Sequence, residues 1–122
     1  MTDAPLVFVL DDEAPVRTAL RRLLGAEGYR VAAFATPDDL LADPRLLEGG
    51  CLLLDLRMPG RSGLEVQAEL RRRGVELPIV FLTGHGDAQA HSRALAAGAV
   101  AFLAKPWEPA ALLEAVGRAL TA

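Results

Sequence analysis

Several short apolar runs of the sequence are followed at once by a polar side chain that can take part in chemistry. "LVFVL" is followed by Asp11 and Asp12, "CLLL" by Asp55, "IVFL" by Thr83 and "VAFLA" by Lys105. Brought together, these groups suit phosphoryl transfer. Carboxylate oxygens bind Mg²⁺, and an ionised carboxylate can attack phosphorus. A hydroxyl and an ammonium group stabilise the oxygens of the phosphoryl group that is transferred.

The strands that would carry these side chains alternate with segments of helical period. Apolar runs predict strands at residues 6–10, 29–34, 51–54, 79–82 and 100–103. Most of these runs are continuous rather than alternating, which is typical of strands buried on both faces of a parallel sheet. The pattern therefore predicts an α/β fold with a doubly wound sheet and helices on both faces.

Three of the helices have clear sequence signals. The first has an apolar stripe that begins after Pro15 and ends before Gly28. The third opens with a capping box at residues 62–65 and is closed by Gly74. The fifth has an apolar residue at every fourth position from Leu112. We expect each of them to pack one face on the sheet.

The second and fourth helices are less well marked. The second is predicted at residues 37–42, and "DPRLLEGG" after it is predicted to be a loop. The fourth, at about residues 87–97, is rich in alanine and has Leu95 as its one large apolar anchor. Burial contributes ~25 cal/mol per Å² of apolar surface, and alanine offers little surface. We therefore expect the fourth helix to be held weakly.

The carboxyl ends of all strands lie along one edge of an open parallel sheet, where such folds form their ligand crevice. Each polar side chain also has a simpler interpretation. Asp11 and Asp12 can cap the first helix, Thr83 can end a strand, and Lys105 can be a solvated loop lysine. Their coincidence at several strand ends favours a common site. Carboxylates crowded together there repel one another unless a cation is present, which indicates Mg²⁺-dependent phosphorylation of Asp55.

Longer motifs carry a family resemblance. "VLDDE", "LLLDLRMPGRSGLE", "IVFLTGHGD" and "AGAVAFLAKPW" resemble, in order and spacing, the receiver domain of two-component response regulators. The resemblance covers essentially the whole chain and is strongest to FixJ-type receivers, although NtrC-type receivers share much of it. It implies one receiver domain over residues 1–122 with a flavodoxin-like (CheY-like) fold. Five helices would surround a parallel sheet of strand order 2-1-3-4-5.

The resemblance also implies a phosphoacceptor and a metal site. Asp55 is similar to the aspartate that receives the phosphoryl group. Asp11 and Asp12 match the metal-binding pair, and the backbone carbonyl of Arg57 matches the remaining protein ligand. The implied cofactor is Mg²⁺, or Mn²⁺ in its place, bound by these groups together with Asp55.

Further positions match the parts of the family that respond to phosphorylation. Thr83 is similar to the switch hydroxyl and Lys105 to the phosphate-binding lysine. Phe102 stands at the place of the switch aromatic, although an ordinary core phenylalanine remains an alternative. The family pattern also implies a cis peptide bond between Lys105 and Pro106.

The implied function is a signalling switch rather than an enzyme with an external substrate. A partner histidine kinase would phosphorylate Asp55, and the domain would catalyse only its own phosphorylation and dephosphorylation. The surface of the fourth helix, fifth strand and fifth helix would then change to control an effector domain or partner, as in transcriptional regulation. Homodimerisation through that surface is also implied. A DNA-binding domain follows FixJ-type receivers, so the chain is either a fragment of such a regulator or a stand-alone receiver.

Two other function classes stay open from the residues. One is a small phosphatase that passes through an aspartyl phosphate. Such hydrolases commonly have a second aspartate two residues after the nucleophile, where this chain has Arg57. The other is an interaction module that keeps the site but is not phosphorylated in use.

Composition excludes or disfavours several other classes of protein. The 122 residues include 13 basic and 16 acidic side chains, which disfavours nucleic-acid binding by this chain alone. Cys51 is the single cysteine, so a disulfide or thiolate metal cluster within the chain is excluded. His85 and His91 fit no metal motif, and Trp107 is expected to anchor the last helix. Without a signal peptide or a membrane span in the sequence, we expect a soluble cytoplasmic protein.

Overall fold

Five short parallel strands form one sheet. They are β1 (Leu6–Leu10), β2 (Arg30–Phe34), β3 (Cys51–Asp55), β4 (Ile79–Thr83) and β5 (Ala101–Ala104). Their order in the sheet is β2-β1-β3-β4-β5, and all four pairings are parallel. The computed structural model describes residues 4–84 and 88–121. The predicted sheet, strand order and strand positions are confirmed, with ends that differ by one residue.

Five α-helices follow the strands in turn. They are α1 (Ala14–Ala26), α2 (Pro37–Leu41), α3 (Gly63–Arg72), α4 (Ala88–Ala96) and α5 (Pro109–Leu120). The predicted capping box of α3 is present, since Ser62 and Glu65 each accept the other's backbone N–H. Asp87, predicted as the start of α4, lies outside the described residues. Within the described part of the chain, no helix combines the length and apolarity needed to cross a bilayer.

The segment predicted as a loop after α2 contains a 3-10 helix at Pro44–Glu48, so that prediction was wrong in part. The Asp43 side chain accepts the backbone N–H of Arg45 at 2.9 Å and also pairs with its guanidinium. Proline at the first position suits the start of a helical turn. These local bonds, rather than an apolar stripe, explain a turn that periodicity does not reveal.

Apolar side chains cover both faces of the sheet. Along β1, Phe8 belongs to the same core cluster as buried residues of α2, α3 and α4, whereas Val7 and Val9 belong to a second cluster with residues of α1 and α5. Every residue of β1 and β3 is buried, as expected for central strands covered on both sides. Cys51 belongs to the α1/α5 side of the core. This double burial holds the ends of β1 and β3 in fixed places.

The attachment of α4 differs from the prediction. Its buried residues among those described are Ala90 and Ala94, whereas Leu95, predicted as the anchor, is 44% exposed. Ala90 and Ala94 are four positions apart and share a helix face, from which Leu95 is turned away by one residue. Polar bonds add to the contact. The Gln67 side chain donates to the carbonyl of Ala94 at 3.3 Å.

The basic run at residues 71–73 is exposed, as expected, but its guanidinium groups also join helices. Arg71 donates to the carbonyl of Ala97, just beyond α4, at 3.3 Å. Arg73 donates to the carbonyl of Leu41 in α2 at 3.0 Å. Arg72 pairs with Glu69 within α3. The run therefore satisfies carbonyls at the ends of α2 and α4, which the sequence did not indicate.

Replacement of Gly63 tests how tightly α3 is placed beside β3. A Cβ atom there would lie 2.5 Å from the carbonyl oxygen of Asp55 and 2.9 Å from the Phe81 ring. We expect Gly63→Ala to lower the free energy of unfolding by about 1–3 kcal/mol in urea denaturation. Gly117→Ala in α5 is the control, because its Cβ would meet nothing within 4 Å. The control should be neutral or stabilising by up to ~1 kcal/mol, and equal losses in both variants would contradict this account.

Candidate functional site

The polar side chains predicted to meet do lie together at the carboxyl edge of the sheet. Asp11 follows β1, Asp55 ends β3, Thr83 ends β4 and Lys105 follows β5. Asp11, Asp55 and Thr83 are 0%, 4% and 5% exposed, and the Lys105 side chain is 15% exposed. Lys105 is thus not the solvated loop lysine of the simpler interpretation. The site is a largely buried set of polar and ionisable groups.

Lys105 lies among three carboxylates. Its Nζ donates to Asp11 Oδ2 at 2.7 Å and to Glu13 Oε1 at 3.2 Å, and lies 3.6 Å from Asp55 Oδ1. It is the single lysine of the sequence. Its strongest contact is therefore with Asp11, while Asp55 receives less of its charge.

Four acidic side chains form a cluster around this ammonium group. Asp11, Asp12, Glu13 and Asp55 each offer an oxygen, and these oxygens lie within 4.8 Å of one another. Asp11 and Asp55 are buried, whereas Asp12 and Glu13 are exposed. Hard carboxylate oxygens of this kind, open to water on one side, match the ligands that Mg²⁺ prefers. The donor set therefore fits the predicted metal.

The sequence interpretation missed Glu13, although it directly follows the aspartate pair in "VLDDE". The Glu13 carboxylate joins the acidic cluster and accepts from Lys105. Its backbone N–H donates to Asp11 Oδ1 at 2.9 Å, which fixes the Asp11 side chain. The N-cap residue of α1 is Glu13, without a side-chain capping bond. Helix capping by Asp11 or Asp12 is therefore not the arrangement found.

The ionisation of Asp55 is strongly affected by its surroundings. Burial, and then the charge of Asp11, raises the pKa of Asp55 to about 7, against the opposing effect of Lys105. A hydrogen bond with Asp12 raises this pKa further, and the backbone N–H of Arg57, 3.4 Å from Oδ1, lowers it. Burial lowers the pKa of Lys105, but its bonds to the carboxylates outweigh burial, so the pKa of Lys105 is raised. The site carries more negative charge than one lysine can neutralise.

Backbone contacts fix the relation between Thr83 and Lys105. The Lys105 N–H donates to the carbonyl of Thr83 at 2.7 Å, next to the register pair of Thr83 with Ala104. The peptide bond between Lys105 and Pro106 is cis, as expected. Trp107 packs against the α1/α5 side of the core, which confirms its anchoring role.

Phe102 lies on β5, three residues before Lys105. Its half-buried ring packs on the side of the sheet that α4 covers. It stacks on the Phe81 ring, with 5.5 Å between centroids, and on the imidazole of His91, with 4.4 Å between centroids. The His91 contact could not be predicted from the sequence, because it depends on how α4 lies against β5. His85 lies outside the described residues. Arg57 is exposed, and the metal-binding role of its carbonyl stays a prediction.

An apolar groove adjoins the site on the α1 side. It encloses about 550 Å³, and Lys105 and Glu13 line it at the site. Its walls include Val16 of α1, Pro106 and Trp107. The groove thus leads from an apolar surface to the lysine.

Comparison with known proteins gives a family match over most of the chain. A family model described as "Response regulator receiver domain" matches residues 7–117. Nodulation protein W of Bradyrhizobium diazoefficiens is 42% identical over 111 residues, which are 91% of this chain and 49% of that protein. The transcriptional regulatory protein FixJ of Rhizobium meliloti is 39% identical over 119 residues, 98% of this chain and 58% of that protein.

The solved structures agree with the sequence relatives. The crystal structure of FixJ-N superposes with a TM-score of 0.86 at 36% identity, and covers 99% of this chain and 96% of that one. The FixJ-type resemblance and the CheY-like fold are thereby confirmed. The chain spans about half the length of the curated relatives it matches.

The raised pKa predicts how stability depends on pH. The folded chain holds the Asp55 proton more tightly than an unfolded chain, whose ordinary pKa is 3.8. Without metal, the contribution of Asp55 to stability is therefore lost as pH rises from about 4 to about 7. With a chelator present, Asp55→Asn should raise the free energy of unfolding at pH 8 by up to about 4 kcal/mol, and by much less at pH 4.5. The melting temperature should rise accordingly. Thermal unfolding at both pH values measures this.

The matched control is Glu76→Gln, which removes an exposed carboxylate outside the cluster. We expect this control to leave the pH profile of the melting temperature unchanged. A pH-independent effect of Asp55→Asn, or a loss of stability at pH 8, would contradict the electrostatic account.

Proposed function

The chain belongs to the response regulator receiver domain family, and we propose that it is a phosphorylation-controlled switch with Asp55 as its phosphoacceptor. The observation that carries this proposal is the placement of a buried carboxylate beside one lysine and three further carboxylates. Asp55 ends β3 at the carboxyl edge of the sheet, beside the exposed Asp12 and Glu13. The proposed domain comprises residues 1–122.

Asp11, Asp12 and Asp55 would hold a divalent cation, Mg²⁺ or Mn²⁺, with the backbone carbonyl of Arg57. The excess negative charge of the cluster supports this assignment, because it makes cation binding favourable. The bound ion would supply positive charge that keeps Asp55 ionised near neutral pH and neutralises oxygens of the incoming phosphoryl group.

In the proposed reaction an Asp55 carboxylate oxygen attacks the phosphorus of a phosphohistidine. The new O–P bond forms as the P–N bond breaks, and the electron pair leaves with the imidazole of the donor. Lys105 stabilises the charge on the phosphoryl oxygens, and the Thr83 hydroxyl donates to one of them. Water later cleaves the acyl phosphate and restores the carboxylate. The domain thus acts on itself and not on an external substrate.

Lys105 has to change partners during this cycle. Its Nζ is 2.7 Å from Asp11 and 3.6 Å from Asp55, so its strongest bond is not with the proposed acceptor. With Asp11 among the groups that would hold the cation, the bond from Lys105 to Asp11 would no longer be needed to balance the Asp11 charge. Lys105 then becomes available to the phosphoryl group, at a distance that a small side-chain movement covers.

The phosphodonor is proposed to be a partner histidine kinase, consistent with membership of a two-component family. The apolar groove beside Lys105 supports a docking place for it, because Val16, Pro106 and Trp107 offer apolar contact next to the site. In this proposal an amphipathic helix of the kinase lays its apolar face in the groove, next to Lys105. The proposed location is the cytoplasm, as is general for such receivers.

The output is proposed to pass through Thr83 and Phe102 to the surface of α4, β5 and α5. FixJ is named a transcriptional regulatory protein, which supports an effector domain or partner in transcription as the target. A second copy docking on the same surface after phosphorylation is part of the proposal. The proposal does not include nucleic-acid binding by this chain itself, because its net charge is -3.

Mass measurement after reaction with Mg²⁺ and acetyl phosphate tests the proposed acceptor. We expect one added phosphoryl group in the unmodified chain and in Glu76→Gln, and none in Asp55→Asn, which cannot form an acyl phosphate. An adduct that persists in Asp55→Asn would contradict the assignment. Steady phosphate release without an adduct would indicate a hydrolase instead, and neither adduct nor release would leave an interaction module.

Metal titration tests the ligand set without any reaction. Trp107 is the single tryptophan and lines the groove with Lys105, so its fluorescence should report Mg²⁺ binding. We expect Asp12→Asn to weaken binding by at least about tenfold, because a direct carboxylate ligand is lost. Glu76→Gln should bind as the unmodified chain does. Equal affinity of Asp12→Asn and the unmodified chain would exclude Asp12 as a ligand.

A further inference from the structure

The Phe102 ring stacks on two aromatic neighbours from different elements. The buried Phe81 of β4 lies on one side, at 5.5 Å between centroids and 23° between ring planes. The imidazole of His91, on α4, stacks at 4.4 Å and 17°. The His91 stack is the closer and the more nearly parallel. Phe102 cannot move away from this position without breaking its contact with α4.

The contact with His91 bears on how α4 is held to the sheet. Its buried side chains among those described are alanines, and its leucine is 44% exposed. The bonds from Gln67 and Arg71 reach carbonyls near its carboxyl end, at Ala94 and Ala97. His91 lies nearer the amino end of the helix. The stack on Phe102 therefore adds a tie where the side chains buried on the sheet are small.

We propose that His91 is a positioning residue that ties the Phe102 ring to α4, so that the ring leaves its place only when this stack breaks. The inference rests on the proposed function, in which Phe102 moves when Asp55 is phosphorylated. His91 would hold the ring in the unphosphorylated arrangement, and phosphorylation would have to break the stack. A ligand or modification shifts such an equilibrium only by its different interaction with the two states, and this stack contributes to that difference.

Removal of the stack should therefore make phosphorylation easier. Aromatic pairs of this kind are worth enough to change an equilibrium roughly two- to tenfold. In His91→Ala we expect phosphorylation by acetyl phosphate to be faster by roughly two- to tenfold. We also expect faster amide exchange in α4 before phosphorylation, because a tie of the helix is lost.

Two matched variants separate this role from a merely structural one. His91→Phe keeps an aromatic ring at the position and should restore both the phosphorylation rate and the amide exchange of α4. Gln89→Ala removes another exposed polar side chain of the same helix and should change neither. In a Phe102→Leu background, His91→Ala should have no further effect on the rate, because the partner ring is absent.

The inference is overturned if His91→Ala is phosphorylated at the unmodified rate or more slowly, or if its effect persists in the Phe102→Leu background. Failure of the proposed function gives a different result, namely no phosphoryl adduct in the unmodified chain. In that case amide exchange of α4 alone tests whether His91 holds α4 to the Phe102 ring. Equal exchange of α4 in His91→Ala and the unmodified chain would then overturn it, and faster exchange restored by His91→Phe would support it.

Discussion

The arrangement of the site depends on negative charge that is held at the rim of the core. Asp11 and Asp55 are buried, and Lys105 is the one ammonium group placed between them. A fold optimised for stability alone would not place carboxylates so close together in a region of low polarity. The fold tolerates the electrostatic cost of these carboxylates because β1 and β3, which position them, are inner strands whose residues are all buried. Carboxylates that repel one another in this way are characteristic of functional sites, where a cation or another charged group reduces the repulsion.

Two other strands, β4 and β5, connect the site to the molecular surface. β4 and β5 pair in register, so Thr83 lies beside Ala104, and the Lys105 N–H bonds to the carbonyl of Thr83. Two residues earlier on each strand, Phe81 faces Phe102. The proposed phosphorylation site therefore lies two residues along the strands from the aromatic contact that reaches α4.

Much of this arrangement could be predicted from the sequence, because it follows from the spacing of apolar and polar residues along the chain. Continuous apolar runs indicated buried parallel strands, and polar residues directly after them had to share one edge. Contacts between elements could not be predicted in this way. Lys105 bonds more closely to Asp11 than to Asp55, and His91 stacks on Phe102, because of distances set by packing. The 3-10 helix at Pro44–Glu48 was missed since it arises from a local cap without an apolar stripe.

Burial and the charge of Asp11 disfavour ionisation of Asp55, and the proposed divalent cation would favour it. Carbon-13 NMR of the Asp55 carboxyl group, followed through a pH titration with and without Mg²⁺, measures this most directly. The account predicts a pKa near 7 in the metal-free chain. With saturating Mg²⁺ the pKa should fall below the ordinary value of 3.8, because the ion favours the ionised carboxylate. A metal-free pKa at the ordinary value, unchanged by Mg²⁺, would contradict the account.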